Sequence, residues 1–185
     1  MKIAVYSGSF DPLHVGHKAI MQYLAESGEY DWTYLVISPQ NPFKDPEKAL
    51  TAKSRYDAAV KAVARHPGIK ASVDDIELRM PPPHYTIRTL DALRKREPGN
   101  TFTLVVGGDN LESMRRWKDY KRILLEYGIV VYPRPGYDAD ADMRSLLEEN
   151  PDYRITLIEQ EMVDVSSTMI REAIAQGRDA SAMMM

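Results

Sequence analysis

The sequence predicts an α/β fold, a doubly wound and mostly parallel sheet with helices on both faces. Two observations carry this expectation. Short runs of apolar, β-branched and aromatic residues (3–6, 32–37, 101–106, 129–132 and 155–158) alternate with segments of helical hydrophobic period. The loops after the first, fourth and last strands hold the glycine- and hydroxyl-bearing motifs, which gathers them at the carboxyl edge of a parallel sheet, where open α/β folds bind ligands. A length of 185 residues suits one domain, 1–185, with its own core.

Composition narrows the function classes. The net charge of −3 argues against a general nucleic-acid or anionic-membrane binder and leaves room for a local basic pocket. The absence of cysteine excludes disulfides, zinc–thiolate sites and cysteine nucleophiles. No apolar run is long enough to cross a bilayer, and the chain enters a strand directly after Lys2, with no signal-peptide pattern. A cytoplasmic protein is the expectation.

Taken in order, Ile3 to Tyr6 is a buried strand, and Ala19, Ile20 and Leu24 share one face of the next helix. Between them lies Ser7-Gly8-Ser9-Phe10-Asp11-Pro12-Leu13-His14-Val15-Gly16-His17. Gly8 permits close approach of a ligand, and Gly16 gives room at a helix start, where free N–H groups and the positive dipole end favour phosphate. His14 and His17 are two of the chain's 4 histidines and can serve one anion together. The dinucleotide fingerprint G-x-G-x-x-G and the His-Glu-x-x-His zinc pattern are both absent here.

The first helix ends near Gly28, and Trp32 to Ile37 is the second strand. Residues 38–46 contain three prolines and form a loop carrying Lys44, either a solvated lysine or a phosphate ligand at the strand's carboxyl edge. Residues 51–66 form a helix with an apolar stripe of Tyr56, Ala59, Val60 and Val63, stopped by Pro67-Gly68; Arg55 reads as surface charge. A modest strand comes next at 69–73. Three prolines then lead into a helix faced by Ile87, Leu90 and Leu93, with Thr86 as the expected N-cap of an ordinary helix start or of an anion site.

Residues 101–106 form the clearest buried strand and run into Gly107-Gly108-Asp109-Asn110. Asp109 can cap the next helix or bind ribose hydroxyls. Leu111, Met114 and Trp117 fall on one helical face, which leaves Trp117 either core or a stacking surface. A helix over 120–127 ends at Gly128, residues 129–132 form a strand, Pro133 to Gly136 turn, and 138–149 form an acidic peripheral helix. In Val165-Ser166-Ser167-Thr168-Met169-Ile170-Arg171 the hydroxyls cap a helix start, and Arg171 lies one turn after Ser167, which together make either an anion site or an ordinary capped helix with a surface arginine. Met183 to Met185 obey no assignable pattern.

Gly8, Phe10, Asp11, Pro12, His14, Gly16 and His17 match the G-x-F-D-P-x-H-x-G-H motif, and the chain here resembles the nucleotidylyltransferase superfamily. Ser166, Ser167, Thr168 and Arg171 match its Ser-Ser-Thr-x-x-Arg signature. More narrowly, Glu77-Leu78-Arg79, Pro83-x-Tyr85-Thr86, Thr89-Leu90 and Gly107-x-Asp109-x-Leu111…Trp117 resemble the bacterial nicotinate-nucleotide adenylyltransferases, as does Arg134-Pro135-Gly136. The resemblance spans residues 1 to about 175 and implies a Rossmann-like fold. It also implies adenylyl transfer from ATP to nicotinate mononucleotide, giving deamido-NAD and pyrophosphate, with Mg²⁺ carried by ATP and no protein-held metal.

By the same resemblance, His14, His17, Lys44 and Arg171 are the catalytic residues. Gly8, Ser9, Phe10, Gly16, Gly107, Asp109, Ser166, Ser167 and Thr168 bind ATP. Tyr85, Thr86 and Trp117 bind the mononucleotide, Thr86 through its carboxylate and Trp117 by stacking on the pyridine ring. The chain departs from the family at Phe43, where a histidine is expected beside Lys44, at His84, where the family has serine, and in its short C-terminal end. Alternative readings are another phosphorylated acceptor (nicotinamide mononucleotide or phosphopantetheine) and a silent nucleotide-binding sensor. A homo-oligomer is compatible with the sequence.

Overall fold

The computed structural model describes residues 1–39, 52–161 and 165–185. Six strands form one sheet in the order β3-β2-β1-β4-β5-β6: β1 (Lys2–Gly8), β2 (Trp32–Ile37), β3 (Ala71–Asp74), β4 (Thr101–Gly107), β5 (Ile129–Tyr132) and β6 (Ile155–Leu157). All neighbouring pairs are parallel, which sharpens the expectation of a mostly parallel sheet. The chain moves outward from β1 to β3, then returns past β1 and moves outward again from β4 to β6. The order therefore reverses between β1 and β4, and the carboxyl ends of these two strands frame the crevice where such sheets bind ligands.

The helices cover two faces because alternate strand residues point to opposite sides. On one face Ile3, Val5, Leu104, Val106 and Val131 pack with Ile87, Leu90 and Leu93 of α3 (Thr86–Arg96) and with Leu146 of α5 (Ala139–Glu149). On the other, Ala4, Tyr6, Leu35, Ile37 and Val105 pack with Ile20, Met21 and Leu24 of α1 (Val15–Glu26) and with Ala59, Ala62 and Val63 of α2 (Ala52–Ala64). The apolar spacing seen in each helix is thus the stripe that meets the sheet. Two shorter helices matter for the site: α4 (Gly108–Glu112) after β4, and α6 (Ser167–Ala175) near the end of the chain.

Several local expectations change. The third strand begins at Ala71 because Pro67–Ile69 coils into a 3₁₀ turn. The helix over 120–127 is α-helical only through Arg122 and continues as a π-helical turn, Ile123–Tyr127, which turns Ile123, Leu124 and Tyr127 into the core. α4 stops at Glu112, and a 3₁₀ turn at Met114–Arg116 leaves Trp117 extended, so Leu111, Met114 and Trp117 do not share one helix. The terminal methionines, unassigned from sequence, have a place here. Met184 forms an antiparallel bridge with His14, Met185 is buried in the α1-side core, and Arg65 donates to the Met185 carbonyl at 3.1 Å.

Candidate active site at the carboxyl edge

The β1–α1 loop is built around its two histidines. His14 is the N-cap of α1, and its Nδ1 accepts from the backbone N–H of Gly16 at 3.1 Å and of His17 at 3.4 Å. His17 reaches back, its Nδ1 accepting the His14 backbone N–H at 3.1 Å. This is a reciprocal capping box made by two imidazoles in place of a hydroxyl and a carboxylate. A nitrogen that accepts carries no proton, so both neutral rings hold their proton on Nε2. The rings stack with centroids 3.6 Å apart. A Cβ at position 16 would lie 2.9 Å from the His14 ring, which explains the glycine.

Electrostatics keep both rings neutral. Burial, reinforced by the Arg134 cation, lowers the His14 pKa to about 4. Burial, then the neighbouring His14 and Arg134, lowers that of His17 to about 3. The two rings therefore offer fixed N–H donors, and neither titrates near neutrality. Phe10 has a left-handed backbone, φ 47°, and its ring meets His17 edge-on at 4.9 Å and Tyr6 at 5.2 Å. The ring lies over Gly8, where a Cβ would come within 3.2 Å of it.

His14, Gly16 and His17 line a cleft of about 1130 Å³ whose other walls come from the loops after β5 and β6. Arg134, Tyr132, Tyr137 and Glu159 are among them. Arg134 is the functional candidate that sequence reading passed over as part of a turn. Its position directly after a strand's carboxyl end, as for the recognised motifs, was the available signal. Its Nε lies 3.9 Å from Asp109 Oδ1.

At the end of β4, Gly107 is the N-cap of α4 and Asp109 sits inside that helix, so Asp109 is not the cap. Its Oδ1 is buried without a hydrogen-bond partner among the described residues. A Cβ on Gly107 would fall 2.5 Å from this oxygen and 3.0 Å from the Tyr132 ring, so only glycine fits there.

The third motif closes on the first. Ser166 caps α6, its Oγ accepting from Met169 N at 3.1 Å, while Ser167 Oγ donates to the Pro12 carbonyl at 2.9 Å. Arg171 is exposed and donates to the carbonyl of Asp11 and, at 3.3 Å, to Thr168 Oγ1. Ser167 and Arg171 thus bind the histidine loop directly. Lys44 and Phe43 lie outside the described residues.

The remaining candidates stand elsewhere along the same edge. Tyr85, not Thr86, is the N-cap of α3, and no side chain among the described residues caps this helix, which leaves its first N–H groups without a side-chain acceptor there. Tyr85 is exposed, and Trp117 is half-buried against the α3-side core. His84 is tied to the Met80 carbonyl at 2.8 Å. None of Tyr85, Thr86 and Trp117 lines the histidine cleft; they belong to the other face of the sheet. Arg55, read from sequence as surface charge, is 5% exposed, because α2 turns it inward toward the first two strand loops.

The family model for Cytidylyltransferase-like proteins matches residues 5–173. A protein of Cytophaga hutchinsonii named "probable nicotinate-nucleotide adenylyltransferase" is 38% identical over 95% of this chain and 87% of its own length. One of Flavobacterium johnsoniae with the same name is 36% identical, covering 97% and 89%. The solved structure of Plasmodium falciparum nicotinic acid mononucleotide adenylyltransferase complexed with NaAD matches with a TM-score of 0.72 at 20% identity, over 96% of this chain and 86% of that one. With its six-stranded parallel sheet and its motifs at one edge, the chain belongs to the cytidylyltransferase-like nucleotidyltransferases and, within them, to the nicotinate-nucleotide adenylyltransferase family.

Proposed function

We propose that the protein transfers the adenylyl group of ATP to nicotinate mononucleotide, giving deamido-NAD and pyrophosphate, a step of NAD biosynthesis. The observation that carries this reading is the pair of stacked, neutral imidazoles presenting Nε2–H donors to a cleft at the carboxyl edge of the sheet. The nucleophile is a phosphate monoester, already largely ionised at neutral pH, so it needs no general base. What the reaction does need is stabilisation of charge at the α-phosphorus, and fixed donors supply this without reorganising.

In this reading His14 and His17 meet the phosphates and the transition state. Gly8, Ser9, Phe10 and Gly16 shape the loop beneath the ATP, and Gly107 and Asp109 receive its ribose. Ser166, Ser167 and Thr168 place the start of α6 against the triphosphate. Arg171, held now by the Asp11 carbonyl, and Lys44 bind the β and γ phosphates. The uncapped N–H groups of α3 at Tyr85 and Thr86 suit the nicotinate carboxylate, since a helix start favours an anion. Trp117 supplies a stacking surface for the pyridine. The two substrates then approach from the two faces and meet over the ends of β1 and β4.

Among the described residues, no group of three or more His, Asp or Glu could hold a metal ion. The donor set is suited to phosphate oxygens, so Mg²⁺ is expected to travel with ATP and to neutralise its charge there. ATP made chiral at the α-phosphorus tests the reaction course. Inversion in the deamido-NAD formed is the outcome of one direct displacement, whereas retention would require a covalent adenylyl-enzyme and contradict this reading.

A further inference from the structure

Arg55 takes no part in the adenylyl-transfer chemistry assigned to the two histidines, yet it is placed where a surface residue would not be. Its Nη1 donates to the Ser9 carbonyl at 2.6 Å and to the Ser38 carbonyl at 3.0 Å, joining the loops after β1 and β2. The same two strand ends are joined a second time through side chains. Glu77, 4% exposed, accepts from Ser7 Oγ at 3.0 Å and from Ser38 Oγ at 3.3 Å. A buried guanidinium carries a large desolvation cost, so its place here calls for a reason.

The reason lies at the next residue, Phe10. The carbonyl that Arg55 holds belongs to the peptide leading into this bulky residue, whose φ of 47° falls in a region that non-glycine residues seldom occupy unless their surroundings impose it. The Phe10 ring in turn packs edge-on against His17. A continuous line of contact therefore runs from α2 through Arg55, the Ser9 carbonyl and the Phe10 ring to the His17 imidazole. Nε and Nη2 of Arg55 are sealed from solvent and have no hydrogen-bond partner among the described residues, so a substrate phosphate cannot reach them in this arrangement. Arg55 acts through its neighbours.

We propose that Arg55 is a positioning residue for adenylyl transfer, fixing the Ser9–Phe10 peptide so that the Phe10 ring braces His17 against the phosphates. This rests on the assignment of His17 to the phosphates. The test uses the full chain carrying Arg55→Met, with Arg55→Gln as a second variant should the first fail to fold, Arg55→Lys as the conservative one, and His17→Ala as a reference. Kinetics with ATP and nicotinate mononucleotide should show kcat lowered at least tenfold by Arg55→Met, both KM values changed less than threefold, and part of the loss restored in Arg55→Lys. In ¹⁵N-detected spectra the His17 ring resonances should move while those of His66 stay. A lowered Tm with unchanged kcat, or a raised KM at constant kcat, would overturn the proposal, the second by making Arg55 a direct ligand. Full turnover by His17→Ala would instead remove His17 from the phosphates, and the His17 resonances would still report whether Arg55 positions that ring.

Discussion

Lowering the pH from 8 to 5 should destabilise the protein through His14 and His17 alone by about 4 kcal/mol. Both rings spend Nδ1 as an acceptor, and burial holds their pKa values at about 4 and about 3. In the unfolded chain each returns to the ordinary value near 6.5. A histidine whose folded pKa is depressed contributes stability that is fully present above the unfolded pKa and is lost as the pH falls toward the folded one. Between pH 8 and 5 the unfolded state takes up about one proton per ring, while the folded state takes up nearly none. At about 1.36 kcal/mol per pH unit, each ring accounts for roughly 2 kcal/mol. For a domain of typical stability, about 5–15 kcal/mol, that is a large fraction. Urea denaturation of the wild type and of His14→Gln with His17→Gln, across this range, isolates the effect as a difference. Glu77, whose pKa burial raises, opposes the trend but is common to both proteins. A difference that stays flat from pH 8 to 5, or a ring titrating near 6.5 in the folded protein, would refute the acceptor role of Nδ1.

Other expectations rest on single contacts. Gly107→Ala places a Cβ 2.5 Å from Asp109 Oδ1 and should cost about 1–3 kcal/mol in a thermal melt while weakening ATP binding by calorimetry. Ser166→Ala removes the cap of α6, and denaturation should show a loss of about 1 kcal/mol. Arg134→Met removes a cation from the cleft and should raise the KM for ATP about tenfold, roughly 1.4 kcal/mol of binding, with the acceptor KM nearly unchanged. Trp117→Ala should do the reverse, raising the KM for the mononucleotide and sparing ATP; unchanged acceptor kinetics would remove Trp117 from the site.

The strands, and the two motifs' places at strand-to-helix turns on one edge, were legible because their signals are local. β4 announces itself through Phe102, Leu104 and Val106, and the β1–α1 loop through its glycines and histidines between a strand and a helix. What escaped depends on contacts distant in sequence. Nothing local to Arg55 tells that α2 turns it inward to carbonyls at positions 9 and 38, and an arginine early in a helix is usually solvated. The capping role of His14 was hidden because caps are ordinarily hydroxyl, amide or carboxylate residues. Trp117 sits at helical spacing from Met114, but α4 ends first, since Ser113 and the adjoining 3₁₀ turn break the period. The terminal methionines acquire meaning only against His14 and the α1-side core, at the opposite end of the chain.

Pyrophosphate release with competing acceptors decides whether the protein is a nicotinate-mononucleotide adenylyltransferase in practice. The protein is supplied with ATP and magnesium and, in turn, with nicotinate mononucleotide, nicotinamide mononucleotide and phosphopantetheine. The expected result is rapid release with the nicotinate form, matched mole for mole by deamido-NAD, and much slower release with the other two. Release with phosphopantetheine but not with nicotinate mononucleotide, or ATP binding with no release for any acceptor, would contradict it.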